Sequence, residues 1–287
     1  MKNIRLITLE HISLEELTDI WNRCWQDYYF DMTYTPEHLR VWLQLTQVSL
    51  QHSMAIIVDE QVAGFALLSM DGIDGWIAGA CIDPVYRRKG LFTPLMYSQL
   101  NAAIRAGLKR VYLEVLEGNH ALKVYQSVGF TQTRQLNIYR TKNRINSLHD
   151  RRVEARISGF EAGRLARPLE TVSVEQYFEN RRRAFFNPAW QRREGYLKRY
   201  KHSLAVMNLT GTAGALFTGD KNIFCLDAWS ATEAGAEEVM ISSVLGSGRS
   251  NTSFSLTNQP VDWIVAFLSA YGINPSAKQF EMCIELT

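Results

Sequence analysis

Cysteine is scarce in this chain of 287 residues: there are four, Cys24, Cys81, Cys225 and Cys283, with no CxxC pair and no clustered spacing. That distribution predicts reduced thiols in a cytosolic protein and argues against a disulfide framework. The six histidines are equally dispersed, so no dedicated metal site is expected. Long apolar runs are missing too. The longest, Val261 to Tyr271, contains Asp262 and falls well short of the ~20 residues that cross a bilayer. No apolar stretch of signal-peptide length follows Met1-Lys2-Asn3-Ile4-Arg5, which makes the cytoplasm the expected location and excludes a membrane partner. Nor is there an excess of charge of one sign: 31 Lys and Arg stand against 29 Asp and Glu, a formal net charge of +2. Such a balance provides no general basic surface for nucleic acid.

What is present is ordinary globular material, 46% apolar, enough to bury a full core. The length suits two domains of about 140 residues each. Ile4-Arg5-Leu6-Ile7 reads as a short strand. Ser13 stands three residues before Glu16, a capping-box start, and Leu14, Leu17, Ile20, Trp21, Cys24, Trp25 and Tyr28 then recur at helical spacing. Thr35-Pro36 is an N-cap followed by proline at the first helical position, with Leu39, Trp42 and Leu43 on the buried face. Strands are expected at Met54 to Val58 and Phe65 to Ser69, around a turn at Asp59-Glu60-Gln61. Another is expected at Trp76 to Ile82, after a second turn made by Asp71-Gly72 and Asp74-Gly75. Asp83-Pro84 ends it. Arg87-Arg88-Lys89-Gly90-Leu91-Phe92-Thr93 then leads into a helix with Leu91, Leu95, Met96, Leu100, Ala103 and Ile104 on one face, closed by Gly107. Val111 to Leu116 is the next strand, Asn119 opens a short helix ending at Gly129-Phe130, and Gln132 to Arg140 is a strand.

The polar stretch from Thr141 to about Val153 is the expected linker, which divides the chain into domains at 1–145 and 150–287. The second half repeats the order. A helical region from Val174 to His202 is interrupted near Asn187-Pro188, and Leu204 to Leu209 and Gly214 to Thr218 form a hairpin. Then come a strand at Ile223 to Ala228, a helix at Glu233 to Leu245, a strand at Ser253 to Leu256, a helix at Val261 to Tyr271 and a strand at Gln279 to Leu286. Strand, Asn119, helix, Gly129-Phe130 in the first half is echoed by strand, Asn258, helix, Gly272-Ile273 in the second, which points to two tandem units.

The sharpest chemical signal is the segment from Arg87. A pyrophosphate needs several N–H donors at close range, and a tight loop entering a helix supplies them along with the positive end of the helix dipole. Gly90 lets the backbone approach without a side chain in the way, and Arg87, Arg88 and Lys89 add charge that suits phosphate. A basic loop between strand and helix is the bland alternative. Here, however, the loop stands in a larger order: Ile82-Asp83-Pro84-Val85-Tyr86-Arg87-Arg88-Lys89-Gly90-Leu91, a helix, a strand, then Asn119-His120-Ala121-Leu122-Lys123-Val124-Tyr125-Gln126-Ser127-Val128-Gly129-Phe130. That order resembles the two signature motifs of the GNAT superfamily of acyl-CoA N-acyltransferases, over residues 1 to about 140. The chain departs from the family's R/Q-x-x-G-x-G/A pattern at Phe92, where a small residue usually stands, and its second motif is one residue shorter between Asn119 and Tyr125.

The resemblance implies an α/β (α+β) fold: two tandem acyl-CoA N-acyltransferase-like units, each a mixed twisted sheet flanked by helices. It implies that Arg87, Arg88, Lys89, Gly90, Leu91, Phe92, Thr93 and Asn119 contact acetyl-CoA or another short acyl-CoA as cosubstrate, with no metal. Backbone groups near Cys81 and Ile82 would pair with the pantetheine arm, and a free N–H there would hold the oxyanion of the tetrahedral intermediate. Tyr125 takes the place of the general acid that protonates the departing thiolate; core packing among Leu122, Val124 and Val128 is its other reading. Glu114 is the candidate general base, because strand alternation sets it opposite Val111, Leu113 and Val115. A solvated carboxylate is the competing reading there, and Glu117, Asp71, Asp74 or a water chain remain as other bases. The acceptor is a small-molecule or peptide amine attacking the thioester directly. A non-catalytic acyl-CoA-binding module is the alternative function.

In the second half Trp229-Ser230-Ala231-Thr232-Glu233-Ala234-Gly235-Ala236 has no arginine and carries a glutamate where phosphates would sit. No coenzyme site is therefore expected there. Gly246-Ser247-Gly248 follows a helix and reads as its stop. The run Arg181-Arg182-Arg183, Arg192-Arg193, Lys198-Arg199 and Lys201, interleaved with Phe185, Phe186, Trp190, Tyr196 and Tyr200, is a feature with two readings. Basic residues with aromatics can grip single-stranded nucleic acid; a solvated helix face with inward aromatics is the simpler reading.

Overall fold

Helix starts follow the caps. In the computed structural model, which describes residues 3–26, 31–140, 168–218, 224–242 and 255–286, helix α1 (Leu14–Cys24) begins with the Ser13 side chain accepting from the Glu16 N–H. Helix α2 (Pro36–Thr46) begins with Thr35 accepting from His38, and Pro36 sits in its first turn. Tyr28, the linker expected at Thr141 to about Val153 and the Gly246-Ser247-Gly248 stop lie outside the described residues.

The remaining elements are β1 (Ile4–Thr8), β2 (Met54–Val58), β3 (Gln61–Asp71), β4 (Asp74–Ile82), α3 (Phe92–Arg105), β5 (Arg110–Leu116), α4 (Ala121–Ser127) and β6 (Thr131–Arg140). They are followed by β7 (Leu169–Val172), α5 (Val174–Arg183), α6 (Glu194–Leu197), β8 (Leu204–Asn208), β9 (Ala213–Thr218) and β10 (Phe224–Ser230). The last are α7 (Glu233–Met240), β11 (Ser255–Pro260), α8 (Trp263–Ala270) and β12 (Ala277–Glu285). Two hairpins are tighter than the sequence reading. Strand β3 starts at Gln61, not Phe65, because Asp59 and Glu60 both take positive φ (49° and 64°) and close a two-residue turn with Val58 opposite Gln61. Asp71 likewise pairs with Asp74 across Gly72 and Ile73, so the expected turn is two residues long and β4 starts at Asp74, not Trp76. The helical region after Val174 is shorter and more broken than expected, ending at Arg183 and resuming only in single turns.

The chain divides into two compact units, Met1–Thr133 with Glu281–Thr287, and Arg134–Phe280. In the first, strand order runs β1-β2-β3-β4-β5-β12, so the chain's last strand completes the first unit's sheet. There the hydroxyls of Thr131 and Thr133 donate to the carbonyls of Cys283 and Glu281. All described ladders among β1 to β4 are antiparallel, while β4 and β5 run parallel, which makes the sheet mixed. Helices α1 and α2 cover one face through Leu17, Ile20, Trp21, Leu39 and Leu43 against Ala55, Ile57, Phe65 and Leu67. Trp21 anchors this layer: its indole N–H donates to the Met32 carbonyl and its ring stacks on Phe65. Burying a side chain such as Phe65 contributes about 2–3 kcal/mol. Helix α3 packs on the sheet as well, and its buried Gln99 accepts from the Met54 N–H and donates to the His52 carbonyl, which fixes it against β2.

In the second unit β6 pairs with β11, Tyr139 opposite Leu256, and a separate antiparallel sheet runs β10-β9-β8-β7. Its core gathers Ala215, Phe217, Ala228, Val239, Met240, Leu256, Ile264 and Leu268 around α7 and α8.

The cysteines correct the expectation of reduced thiols throughout. Cys24, the last residue of α1, and Cys81 in β4 are joined as a disulfide, with Cα atoms 6.1 Å apart. Cys225 and Cys283 are free and buried, and burial pushes their thiols up to about 12 and about 11.

Candidate active site

The parallel ladder between β4 and β5 covers only Asp74–Arg110, Gly75–Val111 and Trp76–Tyr112. The register of β3 against β4 shifts just beyond this point: Leu68 faces Ile77 but Leu67 faces Gly79, leaving Ala78 as an extra residue on β4. A bulge increases local twist and turns the strand away from its neighbour. Beyond it Ala78, Gly79 and Ala80 are half-buried, unlike the fully buried residues that precede them. There β4 continues as a strand past its ladder with β5. Across the strand, β3 comes so close that a Cβ on Gly64 would meet the Cys81 carbonyl at 2.5 Å, so glycine there permits the approach.

The segment that follows β4 forms a loop of N–H donors. Among the described residues, no N–H from 88 to 93 donates to a backbone carbonyl, while Arg87 N–H goes to Pro84 and Leu95 N–H to Leu91. Arg88 (φ 60°) and Gly90 (φ 73°) take left-handed conformations, which turns successive amides into a concave nest. A Cβ on Gly90 would meet nothing within 4 Å, so the space above the loop is open. The loop runs into the 14-residue helix α3, whose dipole adds positive potential at that end. An anionic group fits this cradle by donor number and by charge.

The basic side chains of the loop are used differently from the sequence reading. Arg87 is exposed but spends donors on the backbone: its Nε donates to the Ile82 carbonyl at 3.1 Å and its Nη2 to the Cys24 carbonyl at 3.0 Å. Lys89 Nζ donates to the Val85 carbonyl and lies over the Tyr86 ring. Arg88 is exposed. Leu91 is buried as the lead-in to α3, and Thr93 is half-buried in its first turn. The loop's base is tied to α1 by the Arg23–Asp83 ion pair at 2.7 Å, a link the sequence reading missed because its partners are 60 positions apart.

Phe92, the residue standing where a small one was expected, packs edge-on against Tyr125 with ring centroids 5.6 Å apart. Phe130 makes a similar contact from another side at 5.9 Å. Tyr125 is 7% exposed, so its ring is fixed by core packing while belonging to the short helix that follows β5. The Oδ1 of Asn119 accepts from the Ala121 N–H, capping that helix.

Glu114 is half-buried on β5, two residues past the last ladder pair, and its carboxylate accepts from the Trp76 indole N–H at 2.5 Å. It therefore stands at the start of the β4/β5 opening. Asp74 is engaged by Arg110 at 2.8 Å, and Asp71 and Glu117 are exposed at turns, so Glu114 is the carboxylate closest in sequence register to the opening. Trp76 carries no motif of its own; only strand register identifies it as the partner.

In the second unit the corresponding strands are bridged by a buried side chain. Among the described residues β10 and β11 share no ladder, and the Arg192 side chain joins them, donating to the Ala228 carbonyl, to Asp227 and to Gln259 Oε1. Arg181 donates to the same Asp227 carboxylate at 2.6 Å and Tyr177 to it at 2.9 Å. Burial pushes the Asp227 carboxyl up, but the two guanidiniums outweigh it and hold the group below the ordinary carboxylate range. Burial also pushes Asp262, the cap of α8, up to about 6. Arg181 does not belong to a solvated basic face but is buried. Arg182 and Lys198 pair with Glu194, and Arg183 with Glu179.

Residues 12–130 match the Acetyltransferase (GNAT) family. The first unit is a GNAT-family domain, and the chain as a whole has the tandem GNAT fold. A tandem GNAT protein from the clavulanic acid biosynthesis pathway superposes with a TM-score of 0.65 at 12% identity, covering 100% of this chain and 99% of that one. A GCN5-related N-acetyltransferase from Sphaerobacter thermophilus gives 0.61 at 10% identity, over 99% of this chain and 96% of the other. One from Anabaena variabilis gives 0.63 at 11% identity, over 99% and 73%. These identities carry the fold and nothing finer. No curated protein sequence matches the chain. No described helix is long and apolar enough to cross a membrane, and no group of His, Cys, Asp and Glu among the described residues suits a metal ion.

Proposed function

We propose that the GNAT domain is an N-acetyltransferase that uses acetyl-CoA or another short acyl-CoA and delivers the acyl group to a primary amine by direct attack. The observation that carries this reading is the nest of undonated amides at 88–93 on the start of α3, set directly after the strand that leaves β5. The amides of 88–93 would hold the pyrophosphate, with Gly90 admitting it and Arg88 adding charge from the rim. The backbone of β4 from Ala78 to Ile82 would receive the pantetheine arm as an added strand. Acetyl-CoA supplies the thioester. Tyr125 holds the proton for the sulfur that leaves, and Glu114, oriented by Trp76, takes the proton of the incoming amine. The second unit would bind no coenzyme, because a pantetheine arm between β10 and β11 would have to displace the buried Arg192–Asp227 pair. The acceptor is a small molecule or peptide amine, and the protein is expected in the cytoplasm.

Acetyl-CoA should bind with one site per chain in a calorimetric titration, and a panel of polyamines, amino acids and peptide N-termini should release free thiol. Tyr125→Phe should then lower kcat about a hundredfold and leave acetyl-CoA affinity within about twofold of wild type. Loss of binding and turnover together would make Tyr125 a packing residue only. Binding without turnover on any amine would favour the second reading, a non-catalytic acyl-CoA module. The edge-on contact of Phe92 with Tyr125 is the observation on that side.

A further inference from the structure

We infer that Cys24 and Cys81 form a thiol–disulfide switch that sets the affinity of the coenzyme loop; the inference rests on that loop being the acyl-CoA site. Three bonds tie the last turn of α1 to the end of β4 and the start of the loop, and all lie between residues 23–24 and 81–87. Arg23 pairs with Asp83, Cys24 is bonded to Cys81, and the Cys24 carbonyl accepts from Arg87 Nη2. Arg87 in turn holds the Ile82 carbonyl through its Nε, so the first residue of the loop is clamped between the end of β4 and the end of α1. The amide nest starts at the next residue, Arg88. Cys81 also belongs to the part of β4 that runs past the ladder with β5.

Cleaving the disulfide alters this clamp directly. Two non-bonded sulfurs cannot approach as closely as two bonded ones, so the thiol form pushes the Cys24 backbone away from β4. The Cys24 carbonyl is the acceptor that orients Arg87, and a shift there carries into the nest. A preorganised set of amides loses affinity when it must be reordered on binding. The disulfide form is therefore the tight-binding one, and the dithiol form binds acyl-CoA more weakly.

The chemistry is ordinary exchange. A thiolate of a dithiol reductant attacks the sulfur of Cys81, the more exposed of the pair at 8% against 4%. A mixed disulfide forms on Cys81 and the Cys24 sulfur leaves as a thiolate. The second thiol of the reductant then attacks its own sulfur in the mixed disulfide, forming the reductant's cyclic disulfide and freeing Cys81. Two electrons pass from the dithiol to the cysteine pair, and the two thiolates take up protons from solvent. Glutathione disulfide drives the reverse direction. Cys225 and Cys283 stay out of the exchange, since neither is bonded to another cysteine and both thiols are held protonated.

The test compares the intact chain after treatment with glutathione disulfide and after treatment with dithiothreitol followed by its removal under argon. Peptide mass mapping should show the Cys24–Cys81 bond in the first sample, and labelling with a maleimide should gain two thiols in the second. Acetyl-CoA titrated into each should show a dissociation constant at least fivefold weaker for the dithiol form. The double change Cys24→Ser and Cys81→Ser should match the dithiol form and ignore both treatments; the wild-type comparison stands by itself should that variant fail to fold. Equal affinity in the two verified states, or a pair that no disulfide reagent can oxidise, overturns the switch and leaves the acyl-CoA reading intact. Absence of acetyl-CoA binding in both states overturns that reading, and the switch with it.

Discussion

Gly90→Asp should weaken acetyl-CoA binding about a hundredfold or more, which corresponds to roughly 3 kcal/mol. Two causes add. The residue sits at φ 73°, a conformation in which a side chain costs on the order of 1–2 kcal/mol. The second cause is larger. An aspartate there would place a carboxylate beside the amides of 88–93, where it would compete for the donors and repel a pyrophosphate. At a few ångströms such repulsion is worth several kcal/mol near a protein surface. Gly90→Ala separates the causes, because it keeps the backbone cost and adds no charge. A Cβ at this position meets nothing within 4 Å, so both variants should fold. The alanine variant should bind within about tenfold of wild type. Calorimetry on folded samples decides it. An aspartate variant that binds like wild type would move the coenzyme away from this loop altogether.

The reason Gly90 was legible in the sequence is that everything it needs is local. A strand, a loop with one glycine and an amphipathic helix occupy neighbouring positions, and the caps at Ser13 and Thr35 act over three residues. Alternation along β5 likewise set Glu114 apart from Val111, Leu113 and Val115, and it stands half-buried while they are buried. What the sequence does not display is pairing across distance. Cys24 and Cys81 are separated by 57 residues, and neither spacing nor motif distinguishes them from Cys225 and Cys283. The return of β12 to the first unit depends on hydrogen bonds such as Leu286 N–H to the Lys109 carbonyl, which no local pattern announces. Arg87 shows the same limit at a single side chain. Its charge suggested phosphate, but nearby carbonyls at Ile82 and Cys24 claim its donors, leaving the backbone to do what the side chain was expected to do.

Position also hid the second unit's central feature. The run Arg181-Arg182-Arg183 looks uniform in sequence, yet a helix turns about 100° per residue and so sends the first arginine into the core. There Arg181 and Arg192 meet Asp227, contributed by β10, and the strand's own carbonyl at Ala228 completes the set. An unaccompanied charge in such a place would be intolerable, so the three residues are conditional on one another.

Asp227→Ala should accordingly be among the most damaging single changes in the chain, costing about 3–5 kcal/mol. The alanine leaves two guanidiniums buried without their shared carboxylate, and it removes the acceptor of the Tyr177 hydroxyl, which is itself fully buried. Urea unfolding followed by tryptophan fluorescence should show the midpoint falling; Trp229 lies in the same strand and is fully buried, so it reports on this core. The informative companion is the triple change Arg181→Met, Arg192→Met and Asp227→Leu. It removes every charge of the cluster together and replaces them with apolar groups of similar reach. Buried ion pairs exchanged in this way are often neutral or stabilising by about 1–4 kcal/mol. The triple variant should thus be far more stable than Asp227→Ala despite carrying three substitutions. A triple variant as unstable as the single one would mean that the hydrogen bonds to Ala228 and Gln259, not the charge balance, hold β10 and β11 together. The cluster would then be a strand-joining device in its own right, and no apolar core could substitute for it.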